Sequence, residues 1–83
     1  MQHLEEVKNI LCTVLSITDR KDSLSEESSL LGNIPELDSM AVVNVITALE
    51  EHFNIVIEDD EITSKIFETL GTLTHFIDNK LSS

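Results

Sequence analysis

The sequence predicts an all-α fold: a small bundle of three main helices, one short helix, and a long ordered loop between the first two main helices. Three observations carry this. Apolar residues recur every three or four positions in three separate segments, which marks helices with one buried face. The chain has 83 residues, which allows a single domain over residues 1–83 and no second one. Its 41% hydrophobic content favours folding over disorder, although a core this small is marginal because short chains bury a smaller share of their surface.

The elements follow in order. Leu4, Val7, Leu11 and Val14 step by three or four, with Ile10 and Leu15 widening the stripe, so the first helix spans about residues 3–16. Thr18 to Asp38 is polar and rich in turn formers, including Ser23, Ser25, Ser28, Ser29, Gly32, Asn33 and Pro35. Its apolar residues Leu24, Leu30, Leu31, Ile34 and Leu37 are too many for a free linker, so it reads as an ordered loop anchored by them, with room for a helical turn. The second helix runs from about Ser39 to Phe53: Val42, Ile46, Leu49 and Phe53 share one face, and Val43 and Val45 broaden it. Its β-branched content would suit a strand, but period and length decide for helix. After the extended Ile55-Val56-Ile57, Glu58 or Asp59 begins the short helix, acids at its N-terminal end and Ile62 and Ile66 inward. Thr69 caps a last helix on which Leu70, Leu73, Ile77 and Leu81 repeat. Gly71 weakens its start by about 1 kcal/mol relative to Ala.

Charge narrows the function classes. Sixteen Asp and Glu stand against five Lys and Arg, a formal charge of −11. The five bases are Lys8, Arg20, Lys21, Lys65 and Lys80. Between Asp22 and Ser64 there are 11 acids and no Lys or Arg, so the whole net charge belongs to the middle of the chain. Nucleic acids and anionic membranes are recognised by Lys/Arg clusters, so neither is an expected partner. A basic protein surface is. One cysteine, Cys12, excludes an internal disulfide framework and fits a reducing, cytoplasmic setting. No apolar stretch approaches the roughly 20 residues of a membrane span, and the start, Met1 to Glu6, lacks the basic and apolar regions of a secretory leader.

The chemistry-bearing stretch is Leu37-Asp38-Ser39-Met40, which places a hydroxyl at the N-terminus of the second helix, after the long loop. Unpaired N–H groups and positive partial charge there stabilise a phosphate, so a serine in this place is suited to bear a phosphodiester. Asp and Ser are also ordinary N-caps, and the short motif alone favours that blander reading. His3, His52 and His75 lack metal-ligand spacing. Glu58-Asp59-Asp60-Glu61 lacks the alternation and glycine of a calcium loop. No metal site is therefore expected. Cys12 reads as a small packing residue, and Phe53, Phe67 and Phe76 as core.

The longer run from Asp38 to Ile55 resembles the acyl carrier proteins. It has Asp-Ser-Met, an apolar-striped helix, Leu49-Glu50-Glu51-His52-Phe53, then Ile55-Val56-Ile57 and the acidic Glu58 to Ile62. The resemblance implies a four-helix carrier bundle that performs no chemistry itself. It implies that Ser39 receives 4′-phosphopantetheine from coenzyme A, assisted by Asp38, under a phosphopantetheinyl transferase. An acyl group would then ride as a thioester on the flexible arm to an acyl-activating ligase or acyltransferase with a basic docking surface. Docking is expected through Glu36, Met40, Val43, Glu50, Glu51, Glu58, Asp59, Asp60 and Glu61, with the carrier a monomer. Two departures stand out. Leu37 replaces the glycine common before Asp-Ser, and neutral Ala41 and Asn44 occupy positions that carry acids in carriers for bulk fatty acid synthesis. The run Leu31 to Met40 most resembles carriers associated with the exosortase A system, which is linked to exopolysaccharide. D-alanyl carriers share Asp-Ser-Met and, with other aminoacyl carriers, stay open as alternatives. From other classes, an unmodified acidic adaptor bundle competes. A small enzyme using Ser39 or Cys12 with a histidine is weakest, because no triad-like arrangement is evident.

Overall fold

The computed structural model describes residues 3–82. The expected lack of a leader at Met1 and Gln2 lies outside those residues. Three α-helices form the frame: α1 (Leu4–Leu15), α2 (Ser39–Phe53) and α3 (Leu70–Ser82). A first 3-10 turn (Thr18–Ser23) follows α1, and a second (Asp59–Glu61) lies between α2 and α3. The short fourth helix of the bundle is thus a single 3-10 turn, and Ile62 and Ile66, both partly buried, come after it in irregular chain.

Helix α1 packs against both α2 and α3. Val7, Leu11, Cys12 and Leu15 from α1 meet Val45, Ile46 and Leu49 from α2 and Leu70, Leu73 and Ile77 from α3 in one buried cluster. These sets follow the helical periods, since residues three and four apart share a face. Cys12 is fully buried, more deeply than its place off the main stripe implies. The hydroxyl of Thr74, also buried, donates to the Leu70 carbonyl at 2.8 Å, which satisfies it inside the apolar cluster. Phe67 belongs to the core, while Phe53 and Phe76 are partly buried at its border.

Helix α1 stops where Ser16 turns left-handed at φ 58°, and α2 where Asn54 does so at φ 56°. After each, chain N–H groups return to carbonyls of the last turn: Ile17 to Cys12 at 2.9 Å and Ile55 to Glu50 at 3.1 Å. Such bonds consume carbonyls that a helix end leaves without partners.

The long loop belongs to the core. Ile17, Leu30, Ile34 and Leu37 are buried and Leu24 partly so. Leu31, expected as an anchor, instead points outward with 38% of its surface exposed. The reason is a tight turn: the Asn33 and Ile34 N–H groups both donate to the Leu30 carbonyl, with Gly32 at φ +81°. That turn aims Leu30 and Ile34 inward, so Leu31 faces the other way. The loop is also pinned by backbone. Leu30 N–H donates to Glu68 O at 3.0 Å, Leu70 N–H to Ser28 O at 3.0 Å, and Gly71 N–H to Glu26 O at 2.7 Å. Two of these use the first-turn N–H groups of α3, which have no partner inside the helix. The Thr69 hydroxyl accepts from Thr72 N–H at 3.0 Å, the cap expected at that residue.

The far end of α2 is held by aromatic and ionic contacts. The rings of His3 and His52 stand edge-on to Phe53, with centroids 5.4 and 4.8 Å away. His3 pairs with Asp78 and His52 with Glu6. This clamp joins all three helices at the C-terminal end of α2 and leaves the N-terminal end, where Ser39 sits, to the loops.

Candidate functional site

Ser39 is the first residue of α2, and Asp38 is its N-cap. The Asp38 carboxylate accepts from Ala41 N–H at 2.8 Å, and the Asp38 carbonyl accepts from Val42 N–H at 2.9 Å. The division of labour is physical. Asp38 has an extended backbone (ψ −175°) and turns its side chain back onto the helix. Ser39, already helical, has no such duty, and its exposed hydroxyl takes no part in the hydrogen bonds among the described residues. Buried Leu37, in the place where glycine is common, anchors the chain just ahead of this cap. Its backbone N–H donates to Ile34 O at 3.0 Å, so no special conformation is needed there.

Ser39 opens onto a groove of about 330 Å³. Leu31, Leu37, Val42, Ile62 and Phe67 supply apolar walls, and Asp38, Thr63 and Ser64 supply polar rims. Thr63 and Ser64 carry no local sequence signal; they reach this groove from the irregular chain between the second 3-10 turn and α3. A free hydroxyl on the first residue of a capped helix, beside a groove of mixed polarity, fits a covalently held phosphate with an extended polar–apolar arm.

The expected docking residues fall into three groups. Met40 and Val43 lie on the exposed face of α2, 71% and 58% exposed. Val43 therefore does not broaden the buried stripe of Ile46 and Leu49; Val45 does, because the stripe turns away from position 43. Glu51, Glu58, Asp59 and Asp60 are exposed. The remaining acids have internal partners. Glu36 is ion-paired to Arg20. Glu50, half-buried, accepts from Ile57 N–H at 2.9 Å. Glu61 binds Lys80 Nζ through both oxygens, at 2.7 and 2.9 Å, and accepts from Glu58 N–H at 2.9 Å. The Lys80 bond and then the Glu58 N–H hold the Glu61 carboxyl below the ordinary carboxylate range. The Glu36 carboxyl is lowered by its own backbone N–H first and then by Arg20. Glu50 and Glu51 are about 17–18 Å along α2 from Ser39, at 1.5 Å per residue, so they are not part of the groove.

The model of the phosphopantetheine attachment site family matches residues 5–77. That span holds nearly all of the fold and places Asp38-Ser39 inside it. The chain belongs to the acyl carrier protein family. This carrier is 32% identical over 79 residues to an acyl carrier protein of Sulfurovum sp., covering 95% of this chain and 99% of the relative. It is 34% identical over 76 residues to one of Picosynechococcus sp., covering 92% and 88%. Its fold matches the solution NMR structure of a holo acyl carrier protein from Nitrosomonas europaea with a TM-score of 0.94, at 63% identity over the whole of both chains. As a family member it is a carrier and not a catalyst, and its cofactor is covalent 4′-phosphopantetheine. Among the described residues no helix is long and apolar enough to cross a membrane.

Proposed function

We propose that Ser39 is the attachment point of 4′-phosphopantetheine. The observation that carries this is the free, exposed hydroxyl on the first residue of α2. It stands beside an aspartate whose carboxylate keeps the helix N-terminus formed. In the transfer, Ser39 Oγ bonds to the phosphorus that carries the pantetheine as the P–O–P bond of coenzyme A breaks. The nucleotide half leaves with the other phosphate, and the Ser39 hydroxyl proton passes to a base on the transferase. Asp38 keeps the start of α2 formed through Ala41 N–H and helps the transferase position the metal-bound diphosphate of the donor. Once attached, the cofactor's thiol supplies a thioester linkage for an acyl group. The chain contributes position, since a tethered intermediate has a high effective concentration at each partner site.

The pathway we infer is a dedicated, exosortase- and exopolysaccharide-linked one in the cytoplasm, served by a monomeric single-domain carrier. It rests on the run Leu31 to Met40 and on the neutral Ala41 and Asn44 beside Ser39. The partners are a phosphopantetheinyl transferase and an acyl-activating ligase or acyltransferase. They dock on apolar Met40 and Val43, with acidic anchors at Glu36, Glu50, Glu51, Glu58, Asp59, Asp60 and Glu61; of these, Glu50 and Glu61 serve mainly by shaping the surface.

The test is intact mass. Apo-protein incubated with coenzyme A, Mg²⁺ and a broad-range phosphopantetheinyl transferase should gain one phosphopantetheine, and Ser39→Ala should gain none. Gain that survives the substitution, or no gain by the wild type, overturns the reading in favour of another attachment site or an unmodified adaptor. Loading assays with fatty acids and with D-alanine then separate the acyl carrier from the aminoacyl alternative.

A further inference from the structure

We infer that Arg20 is a specificity-determining residue of this carrier: by pairing with Glu36 it withholds from basic partners the acid that would otherwise flank the attachment serine. The inference rests on Ser39 as the attachment site.

Glu36 and Asp38 are the acids nearest Ser39 in the chain; the next on α2 is Glu50. Asp38 is committed to the α2 cap through Ala41 N–H, and the face beyond Ser39 presents Met40, Val43 and Asn44, all uncharged. Of these two acids, Glu36 has no structural duty in the helix. It is bound by a residue 16 positions earlier, the Arg20 guanidinium.

Both ends of the pair are set by backbone. Arg20 lies in the first 3-10 turn, where its N–H donates to Ile17 O at 2.8 Å and its carbonyl accepts from the Ser23 hydroxyl at 2.7 Å. Glu36 stands between buried Ile34 and Leu37. The core thus delivers the two side chains to one place, while both remain about two-fifths exposed (44% and 40%). A partner's Lys or Arg can reach Glu36 there, but it must compete with an arginine already in place. Exposed pairs are weak, so the attenuation is partial and reversible. Lys21 supplies the contrast. It adjoins Arg20, carries the same charge, and forms no ion pair among the described residues.

The experiment measures KM and kcat for modification by a broad-range phosphopantetheinyl transferase, using wild type, Arg20→Ala, Lys21→Ala, Glu36→Gln and Arg20→Ala/Glu36→Gln. Arg20→Ala should lower KM about two- to fivefold, the scale of one exposed pair, with kcat unchanged. Lys21→Ala, which changes net charge equally, should move KM less. In the Glu36→Gln background the effect of Arg20→Ala should vanish. An Arg20→Ala effect no larger than that of Lys21→Ala, or one that persists without Glu36, overturns the inference and leaves net charge as the cause. A second measurement needs no transferase: the Glu36 carboxyl, followed by NMR titration, should titrate higher in Arg20→Ala and stay put in Lys21→Ala. An unmoved midpoint removes the pair and with it the inference. A wild type that titrates as expected but gains no phosphopantetheine instead refutes the Ser39 reading.

Discussion

At the residue scale, two neighbours divide one task. Asp38 completes the helix and Ser39 stays free. Replacing Asp38 with Ala removes the acceptor for Ala41 N–H and should cost about 0.5–2 kcal/mol in urea unfolding, as lost N-caps do. Asp38→Asn keeps an acceptor and should change stability by only a few tenths of that, while still slowing modification. The pair of variants separates cap from charge. Cys12 gives a second residue-level expectation. Burial pushes its thiol up, against the lesser pull of Lys21, Lys8 and Arg20, and a buried thiol is a poor nucleophile. In the modified protein a thiol reagent should therefore titrate one fast group, the cofactor thiol, and a slow one that reacts only on unfolding. Two fast thiols would place Cys12 at the surface.

At the element scale, the segment between α1 and α2 carries as much of the core as a helix does. Leu30 is fully buried and backbone-bonded to Glu68, whereas its neighbour Leu31 is exposed beside the groove. Leu30→Ala should thus destabilise by about 2–5 kcal/mol, and Leu31→Ala by no more than about 0.5 kcal/mol, the usual size for a surface change. Equal effects in chemical denaturation would contradict the turn at Gly32. The bonds that pin this segment also explain how α3 tolerates Gly71 in its first turn. Its N–H is taken by Glu26 O, so an external partner offsets a weak local propensity.

At the scale of the whole molecule, charge bears on stability and, through the proposed docking acids, on association. Lys80 clips the second 3-10 turn to α3 through Glu61, whose folded carboxyl titrates below its ordinary value of 4.5. A lowered folded value means the contribution is present above that ordinary value and is lost as the pH falls through the folded one. The stability gap between wild type and Lys80→Ala should therefore close on acidification, as read by unfolding midpoints along a pH series. Docking to a basic partner should weaken as salt rises, because exposed charges are screened over about 10 Å at 0.1 M. The three helices, the cap at Thr69 and the place of Ser39 were legible in the sequence, because helical period and capping chemistry are local. The sequence alone determined that the chain is a small acidic helical bundle with a hydroxyl at the start of its second helix. Only the tertiary structure decided that Leu31 and Val43 face out and that Thr63 and Ser64 rim the groove. Only it committed Glu36, Glu50 and Glu61 to Arg20, Ile57 and Lys80. Those outcomes depend on which distant segments the core brings together, and spacing along the chain does not encode that meeting.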